Sequence, residues 1–299
     1  MIYDLTNSFL ELGDATSRNL DFAYQKDVHI SYGEETITET NLLELRRRHP
    51  SRISLKTFSH HAEAKNGADW EWHIVGKKWT FGMRVQAKRV QCDGKLKVKH
   101  EIGKSGREQI DVLLASAKSG GIGGWPLRPI YCFYCADRDM EIWSTSKRKA
   151  MPKPDRWSEY GCLIADAIKI KAVPIVRKLT DVEKHCVPWH YLLLNSPLRF
   201  AIGERRPVSN DDQDLIGLLE RQYGDGPTIG DESSAAIAPT FPTADQLNGS
   251  DDNFSVNQVG IWPTAEHDYS TQPSTVLMRE RGISRFLSID VSGLGEAYD

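Results

Sequence analysis

NGADWEWHIVGKKWTFGMRVQAKRV (66–90) is the stretch on which the reading of the whole chain turns. Two runs inside it, ADWEWHIV (68–75) and WTFGMRVQAKRV (79–90), are rich in β-branched and aromatic residues and are parted by Gly76-Lys77-Lys78. That composition predicts two strands and a tight turn, hence a hairpin. Side chains alternate along a strand, so Asp69 and Glu71 share one face while Trp70 and Trp72 take the other. On the second strand Gln86 and Lys88 share a face, with Val85 and Ala87 opposite. A hairpin brings these polar sets together.

Working outward, Ile37, Leu42 and Leu45 form an apolar stripe at helical spacing over about 34–48, which Pro50 ends. Leu5, Phe9, Leu10, Leu20 and Phe22 predict a leading helix within 1–30. ISLKTFS (53–59) reads as a strand, and REQIDVLLASAK (107–118) as an amphipathic helix. PIYCFYC (129–135) is almost wholly apolar and reads as a buried central strand. Residues 158–173 predict a helix, and the Thr180 to Glu183 spacing predicts a short capped one. DDQDLIGLLERQYG (211–224) reads as an acidic helix. The Gly-, Pro- and Ser-rich stretch 225–272 reads as a loop or linker, and 276–291 returns to strand-like composition. These elements predict an α/β fold, a central mixed sheet flanked by helices.

The hairpin face carries the chemistry. Asp69, Gln86 and Lys88 would set a carboxylate, an amide oxygen and an ammonium side by side. The two oxygens are hard ligands suited to Mg²⁺ or Mn²⁺. A lysine beside such an ion can orient water or balance charge on a phosphate. Glu34 lies three residues before Ile37, so helical spacing turns it toward the sheet. Glu35 sits at the edge of the stripe and is the second choice.

This pattern resembles the PD-(D/E)XK nuclease superfamily, with its restriction-endonuclease-like fold. Asp69 matches the first metal-binding aspartate, and Gln86-Ala87-Lys88 matches the (D/E)-x-K element in a Gln-x-Lys variant. VQAKR is similar to the corresponding strand of Mrr-type restriction endonucleases. Gly33-Glu34-x-x-Ile37 resembles the helix that supplies the accessory glutamate, and Gln109 resembles the glutamine of RecB-like members. The likeness covers about 33–135. The resemblance implies a restriction-endonuclease-like core with helical additions and a C-terminal extension. It also implies a metal-dependent deoxyribonuclease in which Asp69, Gln86 and Glu34 hold Mg²⁺ or Mn²⁺ and Lys88 serves catalysis. It departs at Gln86, which stands where most members carry an acid. The whole chain also resembles a bacterial family with a domain of unknown function, with GEETIT, GADWEW, QAKR and YCFY in that order.

Composition bounds the rest. The 299 residues carry 39% hydrophobic and 26% charged residues, as a globular chain does, and no apolar run reaches the length of a membrane span. The start shows no secretory signal, and five cysteines is an odd count, so reduced thiols in a cytoplasm are expected. The net charge of -3 is unevenly spread. Residues 46–107 hold 16 Lys or Arg against 5 Asp or Glu, while 204–299 hold 6 Arg against 17 acids. The basic stretch predicts a polyanion partner, DNA, with RNA left open; Arg46, Arg47, Lys95, Lys97, Lys99 and Gln109 are its candidate contacts.

The organisation expected is a nuclease-like domain over 1–204 with its core at 33–135. An acidic helix and flexible linker over 205–275 and a C-terminal strand segment over 276–299 would follow. A homo-oligomer or an operon-encoded partner is compatible with this reading, and restriction or anti-phage defence is the role the Mrr likeness implies. The competing reading is a nucleic-acid-binding or protein-interaction module that keeps the fold without turnover. Among weaker signals, Cys132-x-x-Cys135 invites zinc, but an i,i+3 pair in a strand points to opposite faces and reads as buried thiols. His60-His61 read as exposed loop residues, and at least one of Trp70 and Trp72 as core.

Overall fold

The computed structural model describes residues 2–28, 30–57, 68–77, 79–99, 101–102, 107–122, 124–136, 161–193, 247, 260–264, 275–280 and 284–292. The acidic helix expected at 211–224, His60-His61 and most of 225–272 lie outside these residues.

Helix α1 (Ile2–Ala23) leads into α2 (Glu34–Arg48). Glu34 and Glu35 stand in the first turn of α2 and Arg46, Arg47 and Arg48 in its last, the arrangement that suits the helix dipole. Strands β1 (Ile53–Thr57), β2 (Trp70–Val75) and β3 (Trp79–Arg89) follow, then the two-residue strands β4 (Glu101–Ile102) and β5 (Arg107–Glu108). Helix α3 (Gln109–Lys118) and strand β6 (Arg128–Tyr134) complete the central unit. Beyond it come β7 (Cys162–Asp166), α4 (Ala167–Ala172), β8 (Cys186–Pro188), β9 (Ile261–Pro263), α5 (Thr275–Glu280) and β10 (Arg285–Asp290).

One mixed sheet runs β1-β10-β2-β3-β6-β7-β8, and β9 pairs with the start of β3. The hairpin β2–β3 is antiparallel, with Trp70 opposite Val85 and Glu71 opposite Arg84. Strand β6 runs parallel to β3, and α3 lies on the crossover between them. The fold is therefore the mixed α/β sheet with flanking helices that the periodicities predict.

The sheet separates two apolar layers. On one face Trp70, Trp72, Ile74, Val85, Ala87, Cys132 and Tyr134 pack under α1 and α2. Phe9 of α1 stacks on Trp72 at 5.8 Å between ring centroids, and the Trp189 indole donates to the Phe9 carbonyl at 2.7 Å. Burial of each such side chain stabilises the fold by about 1.5–3 kcal/mol. On the other face Tyr131, Phe133, Leu163 and Ala165 pack with α3, α4 and the 96–98 segment.

Four expectations are corrected. Residues 158–173 are not one helix: Cys162–Asp166 forms β7, and of the described residues there only 167–172 is α-helical. A short apolar run buried on both faces carries no periodicity that separates strand from helix. Within 225–272, Ile261–Pro263 forms β9 on β3, and Trp262 and Leu247 are core residues. One aromatic in a polar stretch suffices for this, because Trp262 lies against Gly82, where a Cβ would collide with its ring. The strand-like segment 276–291 divides into α5 and β10, and β10 enters the sheet between β1 and β2. Where the Thr180 to Glu183 spacing predicts a short capped helix there are two single 3-10 turns, Leu179–Asp181 and Glu183–His185.

Candidate active site on the hairpin face

The pairing register puts Asp69, Glu71 and His73 on one face of the hairpin with Arg84, Gln86 and Lys88. This face divides into two clusters. Glu71 is fully buried; its carboxylate accepts from His73 Nε2 at 2.8 Å, Arg84 Nη2 at 3.0 Å and the Ile122 amide at 2.9 Å. Burial pushes the Glu71 carboxyl up, but the hydrogen bond and charge of His73, then Arg84 and the Ile122 amide, outweigh it and hold the group below the ordinary carboxylate range. The rings of Trp262 and Phe286 stand edge-on to His73. Gly121 is required beside the carboxylate, since a Cβ there would strike Glu71 Oε1.

One register step on, the face opens. Asp69 lies at a bend one residue before β2 rather than within the strand expected at 68–75. Its amide still donates to Val85 O at 2.8 Å. Its Oδ2 accepts from the Ala87 amide at 2.5 Å and from Gln86 Nε2 at 2.6 Å. Gln86 Oε1 in turn accepts from Gln109 Nε2, at the first residue of α3, at 2.7 Å. Lys88 is 7% exposed. Burial pulls its ammonium below the ordinary lysine range, while the charges of Glu34 and Asp69 pull it back up.

Glu34 reaches this group from the first turn of α2. Its Oε1 accepts from the Arg89 amide at 3.0 Å, and Arg89 Nη1 donates to Tyr32 O at 2.8 Å. The Thr38 hydroxyl bonds both Glu34 O and the Tyr134 hydroxyl, each at 2.8 Å, so the helix start is pinned to β3 and β6. Glu35 turns elsewhere and accepts from Arg285 at 2.9 Å. Glu34, Asp69, Gln86, Lys88 and Gln109 thus converge from α2, the Asp69 bend, β3 and α3.

The hard oxygens near a prospective divalent ion are the carboxylates of Asp69 and Glu34 and the side-chain oxygen of Gln86, which now accepts from Gln109. Gln86 presents its amide nitrogen, not its oxygen, to Asp69. A half-turn of both amides would reverse the Gln109–Gln86 bond and bring Gln86 Oε1 beside Asp69 Oδ2. Gln109 Oε1 has no hydrogen-bond partner among the described residues, so it stands ready to accept from Gln86 after that turn. The donor set fits a hard cation such as Mg²⁺ on this condition. Among the described residues no group of three His, Cys, Asp or Glu is placed to hold a metal ion; the position beside Asp69 is an amide, Gln86.

The model for DUF6615, a family of unknown function, matches residues 5–252. The chain belongs to this family. The match takes in α1 through β8 and ends before β9, α5 and β10. No curated protein matches the chain.

Other candidates in this DUF6615 chain are dispersed. Arg46 is spent at the end of α2, donating to Pro50 O and to Ile53 O at 2.5 Å, and Arg47 pairs with Glu44 at 2.7 Å. Both lie at the opposite end of α2 from Glu34, Arg46 twelve residues and about 18 Å along the axis and Arg47 one residue further. Lys95 and Lys97 are exposed, and Lys95 pairs with Asp93. Lys99 donates to Lys171 O at 3.1 Å and Val173 O at 2.5 Å. Cys132 and Cys135 belong to opposite faces of the sheet. Burial pushes the Cys132 and Cys162 thiols up, Cys162 to about 12, which disfavours the thiolate a metal needs. Both Trp70 and Trp72 are core residues. Ser284 and Arg285, which touch the Asp69 bend, carry no signal in the local sequence; they lie 215 and 216 residues from it.

Proposed function

We propose that the chain is a metal-dependent nuclease that hydrolyses phosphodiester bonds of DNA in the cytoplasm. The observation that carries this reading is the buried Lys88 ammonium facing two carboxylates, Glu34 and Asp69, drawn from separate elements onto a partly exposed edge. A structural lysine is ordinarily snorkelled to solvent; one held under desolvation beside paired carboxylates fits catalytic use. Asp69, Gln86 and Glu34 are the residues that would hold Mg²⁺ or Mn²⁺. Such an ion supplies Lewis-acid stabilisation of a phosphate and acidifies water. Lys88 orients the attacking water or offsets charge on the phosphate, and Gln109 sets the rotamer of Gln86. Exposed cations such as Lys95 and Lys97 supply sequence-independent phosphate contacts, which serve RNA as well as DNA. Restriction or anti-phage defence, acting alone or with a partner, is the role this chemistry suits.

The decisive experiment is cleavage of plasmid DNA titrated with Mg²⁺ and Mn²⁺, comparing the unmodified protein with Asp69→Ala and Lys88→Ala. Metal-dependent cleavage lost in both variants supports the reading; wild-type cleavage in either variant removes the assigned site. The second reading, a binding module without turnover, is favoured by one observation: Gln86 caps Asp69 with an N–H donor at 2.6 Å. Absence of cleavage of DNA or RNA with any divalent metal, alone or with an operon-encoded partner, would establish it.

A further inference from the structure

The last strand in the sequence meets the site at its least supported point. Asp69 stands outside the β2 ladder, at a bend. Its carbonyl accepts from Ser284 Oγ at 2.8 Å and from Arg285 Nη1 at 3.4 Å. Strand β10 runs parallel to β2 with Phe286 opposite Glu71, so two residues back along both strands Ser284 stands opposite Asp69. A side-chain hydroxyl there takes the place of a ladder bond. The other nitrogen of the fork, Arg285 Nη2, donates to Glu35 Oε1 and Glu39 Oε1, each at 2.9 Å. Those two glutamates are one turn apart on α2, the helix that carries Glu34. Ser284 and Arg285 are themselves buried, at 1% and 3% exposed, whereas the glutamate side chains are about half exposed. The guanidinium is thus the fixed part of the clamp.

We infer that Ser284 and Arg285 are positioning residues that set the Asp69 bend and, through α2, the distance from Asp69 to Glu34; their purpose rests on the nuclease reading. An ion or a phosphate between two carboxylates needs both within about 0.5 Å of the productive geometry. Arg285 is the one side chain among the described residues that bonds both the Asp69 backbone and the helix bearing Glu34. Lysine cannot replace it, because an ammonium lacks the planar fork that reaches a carbonyl and two carboxylates at once. The C-terminal strand therefore completes a site whose other members all lie between positions 34 and 109.

The test uses the full chain with Ser284→Ala, Arg285→Lys and the double variant Glu35→Gln/Glu39→Gln, each checked for fold by circular dichroism and thermal melting. The Ala87 amide, which donates to Asp69, reports the bend directly by hydrogen exchange. It is expected to exchange about tenfold faster in all three variants, while the Ile122 amide on Glu71 keeps its wild-type protection. Mn²⁺ affinity is expected to fall about tenfold in parallel. Unchanged Ala87 protection in Ser284→Ala and Arg285→Lys would overturn the inference. So would a loss of protection spread evenly over β2, β3 and β10, the mark of a plain strand anchor. A wild-type protein that binds no Mn²⁺ and cleaves nothing, but still shows the confined Ala87 response, would remove the nuclease reading and leave the placement of Asp69 standing.

Discussion

Glu71 and Asp69 stand two positions apart on the same face of one hairpin, and each is an acid bonded to the partner strand. The Glu71 cluster is closed over by Trp262, Phe286 and the Gly121–Ile122 turn, and three donors hold its fully buried carboxylate. The Asp69 cluster ends in amide groups and a half-buried Glu34, and its lysine is desolvated while its acids keep contact with solvent. The difference lies in the layer above the sheet, not in the residue types on it. An acid locked among fixed donors stabilises a fold; an acid at a partly open edge, beside a buried lysine, is the one the nuclease proposal assigns to chemistry.

The strongest way to break this comparison is to exchange the two acids' fates. Glu71→Ala is expected to destabilise the protein by about 3–5 kcal/mol, since it strands the buried Arg84 charge, and that is a large share of a typical domain's stability. Asp69→Ala is expected to cost only about 1 kcal/mol of stability but to lower metal-dependent cleavage about 10²–10³-fold. Chemical denaturation and cleavage rates on the same preparations read both effects. Equal melting losses from the two variants would erase the distinction.

A sharper, smaller effect concerns the amide in the motif. Gln86→Glu adds a negative charge beside Asp69 and removes the N–H that caps it. Mg²⁺ affinity by calorimetry is expected to hold or to rise, by about tenfold at most. A fall in affinity would mean that Gln86 serves Asp69 as a donor and not as a prospective ligand.

Lys88 gives a pH-dependent contrast. Its folded pKa lies below its ordinary value of 10.5, so the charged form is disfavoured in the native state. The stability cost of charged Lys88 is therefore present at neutral pH and disappears as pH rises from the folded pKa toward the unfolded one. Glu34→Gln removes a charge that supports the ammonium, so the Lys88 pKa should fall further, as lysine-selective NMR titration can follow. No movement would separate Glu34 from the site.

The smallest effect belongs to the outer cations. Changing Lys95, Lys97 and Lys99 to Glu is expected to weaken duplex binding and flatten its dependence on salt, by about one unit of slope for each phosphate no longer neutralised. Thermal stability should change little, although Lys99 also bonds the end of α4. An unchanged slope would place the footprint elsewhere.

Much of this was legible in the chain because it depends on local period and on one short turn. The stripe Ile37, Leu42 and Leu45 marks α2, and the apolar run 129–135 marks β6, as parallel burial requires. The hairpin brings the polar sets of the two strands onto one face, but the register was not legible: a three-residue turn at 76–78 would pair Val75 with Trp79, whereas Val75 stands opposite Thr80. The choice of Glu34 over Glu35 was legible, because adjacent helical positions differ by about 100° and only Glu34 follows the apolar stripe; that Glu35 pairs with Arg285 was not. The strand within 158–173 was hidden because buried strands lack alternation. Which acid of the hairpin face would be sealed depended on Trp262 and Phe286, residues nearly two hundred positions away or more.

The sequence by itself determined the α/β class, the hairpin that brings Asp69 beside Gln86 and Lys88, and the helix that carries Glu34. Side-chain period and turn length act over a few residues and need no partner. Only the tertiary structure decided that β10 enters between β1 and β2, that Ser284 and Arg285 brace Asp69, and that Glu71 is closed off while Asp69 stays accessible. Those outcomes follow from which distant segments cover each edge and face of the sheet, a competition of long-range burial that no local pattern encodes.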